Sequence, residues 1–147
     1  MDFIVKSFDE LSTHELYQLL QLRSEVFVVE QDCAYQDVDG KDQIALHLMG
    51  IEGDNLFAYT RIFPPGAYMD SACVGRVVVK ESKRGKSLGI QLMKVAIDTI
   101  HENYNTSEIA LSAQTYLKKF YSDLGFTPVG EEYLEDGIPH ILMVKTT

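Results

Sequence analysis

The spacing of hydrophobic and polar residues predicts strands and helices that alternate along the chain. Residues 3–8 alternate between the two types and predict a first strand. Ser12 and Glu15 have the spacing of a capping box, in which each side chain accepts from the backbone N–H of the other residue. A helix is therefore expected to begin there, with apolar residues every three or four positions as far as Phe27.

Arg23 falls on the apolar face of this first helix. A buried guanidinium needs a carboxylate partner, and the candidates are Glu30, Asp37, Asp39 and Asp42. The alternative is that Arg23 lies at the edge of the face and extends its charged end to water. We expect the helix to end near residue 31.

An acidic loop at 32–42 follows this helix. It lacks the full alternating carboxylates and the closing glutamate of a calcium loop, so no metal is predicted. Loops of this length in compact domains are usually functional or mobile. Tyr35 and the carboxylates are therefore candidates to line a substrate cleft.

The rest of the chain predicts six more strands and two more helices. The strands are expected at 44–51, 56–63, about 72–79, 108–113, 127–134 and 138–145. The helices are expected at about 86–102 and around 117–124, where Gly125 ends the second one. Gly75, inside a strand, suggests a bulge. This order predicts an α/β fold with a mixed, mostly antiparallel sheet.

Composition limits the classes of partner. With 147 residues, 46% of them hydrophobic, the chain is expected to form a single domain over 1–147. Its net charge of −9 argues against nucleic acid or an anionic membrane as the main partner, and suits a cationic or amine substrate. Cys33 and Cys73 have no metal-site or disulfide-framework spacing. Together with the absence of a recognisable leader or membrane span, they predict a cytoplasmic protein. A homodimer is left open, because the sequence does not decide the oligomeric state.

A basic turn at 84–89 carries the clearest chemical signal, because it joins the apolar strand residues Val77, Val78 and Val79 to a helix. The turn reads Arg84-Gly85-Lys86-Ser87-Leu88-Gly89. Unpaired N–H groups at a helix start, the helix dipole and two basic side chains suit a phosphate group. A nucleotide P-loop is excluded because Lys80 stands where that motif needs glycine, and no G-x-G-x-x-G is present. The remaining alternative is a solvated turn before an ordinary helix.

The turn resembles the pyrophosphate loop, Arg/Gln-x-x-Gly-x-Gly/Ala, of the GNAT N-acetyltransferase superfamily. Residues 117–126 resemble the penultimate helix of that family, which reads Ala-x-x-x-Tyr-x-x-x-Gly-Phe. Further segments at 27–31, 37–40, 75–79 and 135–141 resemble the ElaA-like branch. The chain departs from the family at Ser87, where the central glycine is expected; a serine costs little there if its φ is negative.

The resemblance implies a splayed sheet flanked by helices, with acetyl-CoA between two separated strands. It implies that Val77, Val78 and Val79 pair with the pantetheine arm and that residues 84–89 hold the pyrophosphate. An amine of a small molecule or peptide then attacks the thioester directly, and Tyr121 protonates the departing thiolate. A phenol suits this role because it stays protonated at neutral pH. The alternative is that Tyr121 is only a core tyrosine.

The base or substrate clamp has five candidates in the sequence: Glu30, His47, Glu135, Asp136 and His140. Glu30 and His140 join Tyr121 as the predicted catalytic residues. His47 lies in a strand, where a histidine with satisfied hydrogen bonds is commoner. Glu135 and Asp136 are equally explained as a charged turn.

Three functions compete at this stage. The leading prediction is an acetyl-CoA-dependent N-acetyltransferase. The alternative is a non-catalytic acyl-CoA-binding or sensing domain, and Tyr121 favours the enzyme because a sensor needs no proton donor. An interaction domain without a cofactor is disfavoured by the basic turn.

Overall fold

A computed structural model describes residues 1–146, in which one seven-stranded sheet is flanked by three α-helices. The strands are β1 (Asp2–Ser7), β2 (Leu46–Glu52), β3 (Asn55–Phe63), β4 (Ala72–Val79), β5 (Ile109–Gln114), β6 (Thr127–Glu135) and β7 (Ile138–Lys145). The helices are α1 (Thr13–Arg23), α2 (Leu88–Tyr104) and α3 (Lys118–Asp123). Every strand and helix that the sequence predicts is present, with bounds shifted by a few residues.

The sheet is open and runs in the order β1-β2-β3-β4-β5-β7-β6. All neighbouring strands are antiparallel except β4 and β5, which run parallel. These two strands pair only at Ala72–Ile109 and Cys73–Ala110, and beyond those pairs they separate. The sheet is therefore mixed, mostly antiparallel and splayed, which confirms the expected fold class.

The bulge suggested by Gly75 is present in β4. Gly75 and Val78 pair with β3 residues that are two positions apart, so Arg76 and Val77 have no individual partner on β3. Arg76 takes up the extra length with a left-handed φ of 51°. On its other side, β4 has no partner on β5 after Cys73, so the edge of residues 74–79 that faces β5 is open.

The first helix begins as expected and ends differently. The Ser12 hydroxyl accepts from the Glu15 N–H at 3.0 Å, and the Glu15 carboxylate accepts from the Ser12 N–H at 2.8 Å, which confirms the capping box. After Arg23 the chain continues as a wider π-helix over Ser24–Glu30. Such segments are rare and occur frequently at functional sites.

Helix α2 packs against the sheet through its apolar face. Four of its residues are fully buried: Leu92, Met93, Ala96 and Ile100. The four residues predicted to face water are exposed: Gln91, Lys94, Asp98 and Glu102. This packing fixes the start of α2, and therefore the basic turn, against the end of β4.

Three further observations concern partners. In residues 1–146 no helix has the length and apolar character needed to cross a membrane. Within the same residues, no group of three histidine, cysteine or acidic side chains is arranged to hold a metal ion. Cys33 and Cys73 are free thiols. The cytoplasmic location stays a prediction.

Candidate active site

The separation of β4 and β5 opens a cavity of about 820 Å³. Its walls come from the end of the π-helix, β4 and the basic turn on one side, and from β5, α3 and the β6–β7 turn on the other. The predicted site residues that line it are Glu30, Val77, Val78, Val79, Arg84, Gly85, Ser87, Leu88, Gly89, Tyr121 and His140. A cavity of this size is typical of a small-molecule site.

One end of the cavity offers backbone donors. The N–H groups of residues 85–89 make no hydrogen bond to protein acceptors within residues 1–146. They stand at the start of α2, where the helix dipole adds partial positive charge. Gly85 has a φ of 80°, a conformation that glycine adopts at no steric cost. This end of the cavity has the properties of a phosphate site.

Ser87 has a φ of 61°, so the condition under which a serine would cost little at this position is not met. The residue immediately precedes α2 and takes the left-handed conformation that the family's glycine favours. Its side chain makes no capping hydrogen bond that would offset the strain. An L-residue costs about 1–2 kcal/mol in this conformation.

Replacing Ser87 with glycine should raise the free energy of unfolding by up to about 1 kcal/mol, because relief of strain exceeds the added flexibility of the unfolded chain. Acetyl-CoA affinity should stay equal or increase modestly. Ser87→Ala is the control, since it keeps the Cβ and removes the hydroxyl. Calorimetric titration and denaturant unfolding measure both quantities. Marked weakening of cofactor binding in both variants would instead assign the hydroxyl to a phosphate oxygen.

Arg84 is held in place by two elements. Its Nε donates to the Val79 carbonyl at 3.0 Å, and its terminal nitrogens pair with the Glu30 carboxylate at 2.6 and 3.0 Å. Hydrogen bonding to Glu30 is the main cause that raises the pKa of Arg84. Glu30 therefore lies at the phosphate end of the cavity and is engaged by a cation, an arrangement that does not suit a base for the acceptor amine.

Lys86 does not line the cavity, although the sequence suggested it as a phosphate ligand. The turn directs this residue to the surface, where it is exposed. Lys83 lines the cavity instead. It pairs with Glu52 at 3.0 Å and lies 4.7 Å from the centre of the Phe57 ring. Arg84 and the backbone donors remain as the main candidates for an anion.

Tyr121 lies on α3 with only 4% of its surface exposed, and it lines the cavity. Phe120 and Phe126 contact its ring edge to face, at centroid distances of 5.0 and 6.0 Å. No hydrogen bond of its hydroxyl is found within residues 1–146, and the hydroxyl is not one of the fully buried polar atoms without a partner, so it reaches the space of the cavity. Burial raises the pKa of the Tyr121 phenol, so it holds its proton at neutral pH. The ring is a core residue, and the hydroxyl is also free to act as a donor in the cavity.

His140 lies on β7 at the other end of the cavity and is 6% exposed. Its Nδ1 must donate to the Ile138 carbonyl, 2.7 Å away, because a carbonyl oxygen only accepts. When the ring is neutral, Nε2 is then a bare acceptor, 3.4 Å from Oε2 of Glu135. Tyr133 stacks on the ring and is itself fixed by a hydrogen bond between its hydroxyl and Ser112. This histidine has the orientation of a proton acceptor.

Two contacts cross the cavity between its walls. The amides of Gln31 and Gln114 bond each other at 3.3 and 3.4 Å, which joins the first helical segment to the end of β5. The Cys33 thiol donates to the Asp136 carbonyl at 3.4 Å, which joins the acidic loop to the β6–β7 turn. The cavity is therefore bridged rather than open along its whole length.

A network of three arginines and three aspartates fixes the acidic loop beside the cavity. Arg23 pairs with Asp37 and Asp42 at 2.9 and 2.8 Å and is fully buried, so its extension to water is excluded and Glu30 is not its partner. Arg61 on β3 pairs with Asp39 and Asp42, both at 2.9 Å. The third arginine is Arg76 in the bulge, which pairs with Asp37 at 2.8 Å. Three positive charges therefore balance three negative charges.

Three of the four aspartates in the loop, Asp37, Asp39 and Asp42, are thus committed to arginines and are not free to bind a substrate. Tyr35 lines the cavity, with its hydroxyl donating to Asp37 at 2.9 Å. Burial raises the pKa of Asp39, but hydrogen bonds and charge from Arg61 outweigh that and lower it to about 2. Asp39 is therefore ionised at neutral pH and forms an ion pair with Arg61.

His47 takes the structural role that its position in a strand favours. Its Nε2 donates to the Asp42 carbonyl at 2.8 Å, and its Nδ1 accepts from the Tyr59 hydroxyl at 2.6 Å. Burial lowers its pKa, which keeps the ring neutral. His47 is fully buried and does not line the cavity, so it is removed from the candidate bases.

The splayed sheet and the cavity that it opens agree with the fold of acyl-CoA-dependent transferases. A family model described as an acetyltransferase (GNAT) domain matches residues 10–147. The chain belongs to the GNAT acetyltransferase family, as its motifs indicated.

Within that family, the chain is similar to protein ElaA of Escherichia coli K12, with 46% identity over 138 residues, 92% of this chain and 90% of that protein. Among solved structures, an acyl-CoA N-acyltransferase from Pseudomonas aeruginosa has a TM-score of 0.93 and 43% identity, covering 99% of this chain and 100% of the other. The crystal structure of E. coli ElaA has a TM-score of 0.90 and 42% identity, covering 99% of both chains. The ElaA-like branch is therefore confirmed.

Proposed function

We propose that this protein is an acetyl-CoA-dependent N-acetyltransferase that acts on an amine of a small molecule or peptide. The observation that carries the proposal is the cavity between β4 and β5, which combines unpaired backbone donors at one end with a buried, unbonded phenol in its wall. A sensor of the same fold needs the donors but has no use for the phenol. The sensing alternative is therefore less well supported.

The site fits acetyl-CoA as a co-substrate. Residues 84–89 would hold the pyrophosphate through their N–H groups and Arg84. Val77 and Val78 lie on the stretch of β4 that has no partner on β5, and their backbone would bond the pantetheine arm. The Val79 carbonyl already accepts from Arg84, so Val77 and Val78 are the main candidates of the three valines.

The chemistry is direct transfer of the acetyl group. The amine nitrogen attacks the thioester carbonyl as Nε2 of His140 takes a proton from it, and the C–N bond forms. The C–S bond breaks with its electron pair on sulfur, which takes a proton from the Tyr121 hydroxyl. The proton then returns from His140 to Tyr121 through solvent. We assign the base to His140 rather than Glu30, because Glu30 pairs with Arg84.

The direct test is release of free thiol from acetyl-CoA over a panel of amines, with the acetylated product identified by mass. We expect turnover with primary amines and none with alcohols of matched shape. Tight binding of acetyl-CoA without thiol release from any amine would favour the sensing domain instead.

Arg84→Glu should abolish the rise in melting temperature that acetyl-CoA causes in the parent, because it places a like charge beside the pyrophosphate. Glu30→Gln is the matched control on the other side of the same ion pair. Glu30→Gln frees Arg84 and removes a negative charge, so acetyl-CoA should raise the melting temperature of this variant at least as much as that of the parent. If acetyl-CoA raised the melting temperature of Arg84→Glu as much as that of the parent, the basic turn would not be part of the cofactor site.

A further inference from the structure

Negative charge without a lysine or arginine partner collects at the end of the cavity where His140 lies. Glu135 and Asp136 line this end at the β6–β7 turn. Within residues 1–146 neither carboxylate pairs with a lysine or arginine, and Glu135 has only His140 beside it. The three aspartates of the neighbouring loop differ, because three arginines neutralise them.

A pair of acceptors faces the cavity at the same place. Nε2 of His140 is unbonded in the neutral ring and lies 3.4 Å from Oε2 of Glu135. Two acceptors at this distance repel each other unless a donor lies between them, and either a proton on His140 or an alkylammonium group can supply that donor. An alkylammonium group has three N–H donors and can bond both atoms. The buried Tyr121 hydroxyl, which has no hydrogen bond within residues 1–146, is a second observation, independent of the carboxylates, that suits a bound amine.

Aromatic rings complete this end of the cavity. Tyr35, Tyr68 and Tyr133 line it, and Tyr133 is fixed by its stacking on His140 and its hydrogen bond to Ser112. The faces of tyrosine rings attract cations, and attract them more strongly where water is excluded. A neutral alkyl tail would gain binding energy only from contact with the rings, whereas a cationic tail would gain it from both the rings and the carboxylates.

We propose that the acceptor is a primary amine that carries a second positive charge and no carboxylate close to it, as in an alkyl diamine. The reacting group binds between His140 and Glu135 as an ammonium and loses one proton to solvent, and the neutral amine then attacks with His140 as its base. The second charge is attracted by Asp136. A carboxylate on the acceptor would meet two like charges without compensation. This inference rests on the proposed function and specifies its substrate class.

The test compares three amines of one chain length: pentylamine, cadaverine and lysine, which is cadaverine with a carboxylate. After correction for its two equivalent amines, cadaverine should exceed both pentylamine and lysine in kcat/KM by roughly fivefold to tenfold at low salt. The advantage should shrink as salt is added. Equal values for cadaverine and lysine would overturn the proposal.

The charges are tested by the double variant Glu135→Gln with Asp136→Asn, which keeps a turn sequence, Asn-Gly, that suits the hairpin. The corrected ratio of cadaverine to pentylamine should fall toward one. Glu131→Gln with Glu132→Gln is the matched control, because it also removes two negative charges, both from β6, at residues that do not line the cavity. A ratio that the double variant leaves unchanged contradicts the assignment.

A binding measurement separates failure of this inference from failure of the proposed function. With acetyl-CoA or CoA bound, cadaverine should raise the melting temperature more than equal concentrations of pentylamine or lysine, even if none of the three is acetylated. Selective binding without turnover would support the acceptor class and count against the transferase. Turnover without selectivity would support the transferase and overturn the acceptor class.

Discussion

Replacing Tyr121 with phenylalanine should lower the rate of CoA release by roughly 10²–10⁴-fold, the range usual for loss of a general acid. The change deletes one oxygen and keeps the ring between Phe120 and Phe126. Because the lost interaction forms mainly in the transition state, acetyl-CoA affinity should stay close to that of the parent. Single-turnover release at saturating acetyl-CoA, paired with a binding titration, separates the two quantities.

Tyr104→Phe is the control for this variant. Burial also raises the pKa of Tyr104, which packs against the same core but does not line the cavity. Removing its hydroxyl should leave the release rate unchanged. If Tyr121→Phe released CoA as fast as Tyr104→Phe, Tyr121 would be only a core residue.

Asp42→Asn should lower the free energy of unfolding by about 3 kcal/mol, since it removes the shared partner of two buried arginines. Arg23 and Arg61 both bond the same carboxylate oxygen, and the neutral amide cannot balance their charge. For a chain of this length the loss corresponds to a fall in melting temperature of about 6–12 °C. Asp70→Asn is the control, because Asp70 is exposed and carries the same change of charge.

Acid titration gives a second readout of the same network. The pKa of Asp39 is lowered from 3.8 to about 2, and interactions with Arg23 and Arg61 outweigh burial to lower the pKa of Asp42 as well. Carboxyls with depressed folded-state values stabilise the fold above their unfolded pKa, and that contribution is lost as the pH falls through the folded value. The parent should therefore lose stability between about pH 4 and pH 2. Asp42→Asn should show a smaller loss in that range, and an equal loss would contradict the assignment.

The elements of the fold could be predicted from the sequence because each is specified locally. The capping box of α1, the Gly75 bulge and the glycine that ends α3 all follow from residues within a few positions of one another. The π-helix could not be predicted, because its apolar residues also fit an α-helical period. The left-handed φ of Ser87 was not predicted, because residues other than glycine rarely adopt it.

The candidate site was predicted where it lies on motifs and missed where it depends on strand register. Tyr121 and the basic turn belong to contiguous patterns, so the resemblance located them. Arg61 and Arg76 meet the acidic loop only after β3 and β4 pair, so no local signal identifies them. One signal was available for the other end of the cavity: the Asp136–Gly137 turn sets a register in which His140 pairs with Tyr133, beside Glu135.

The ion-pair network also determines when the wall of the acceptor site becomes ordered. Residues 32–41 form neither helix nor strand, yet three arginines on other elements hold Asp37 and Asp39. Fixing the backbone of each residue costs about 1–2 kcal/mol in conformational entropy. Since these ion pairs form as the chain folds, that entropy is lost during folding and not when an amine arrives. The acceptor therefore meets a preorganised wall, and its binding energy is not reduced by the ordering of a loop.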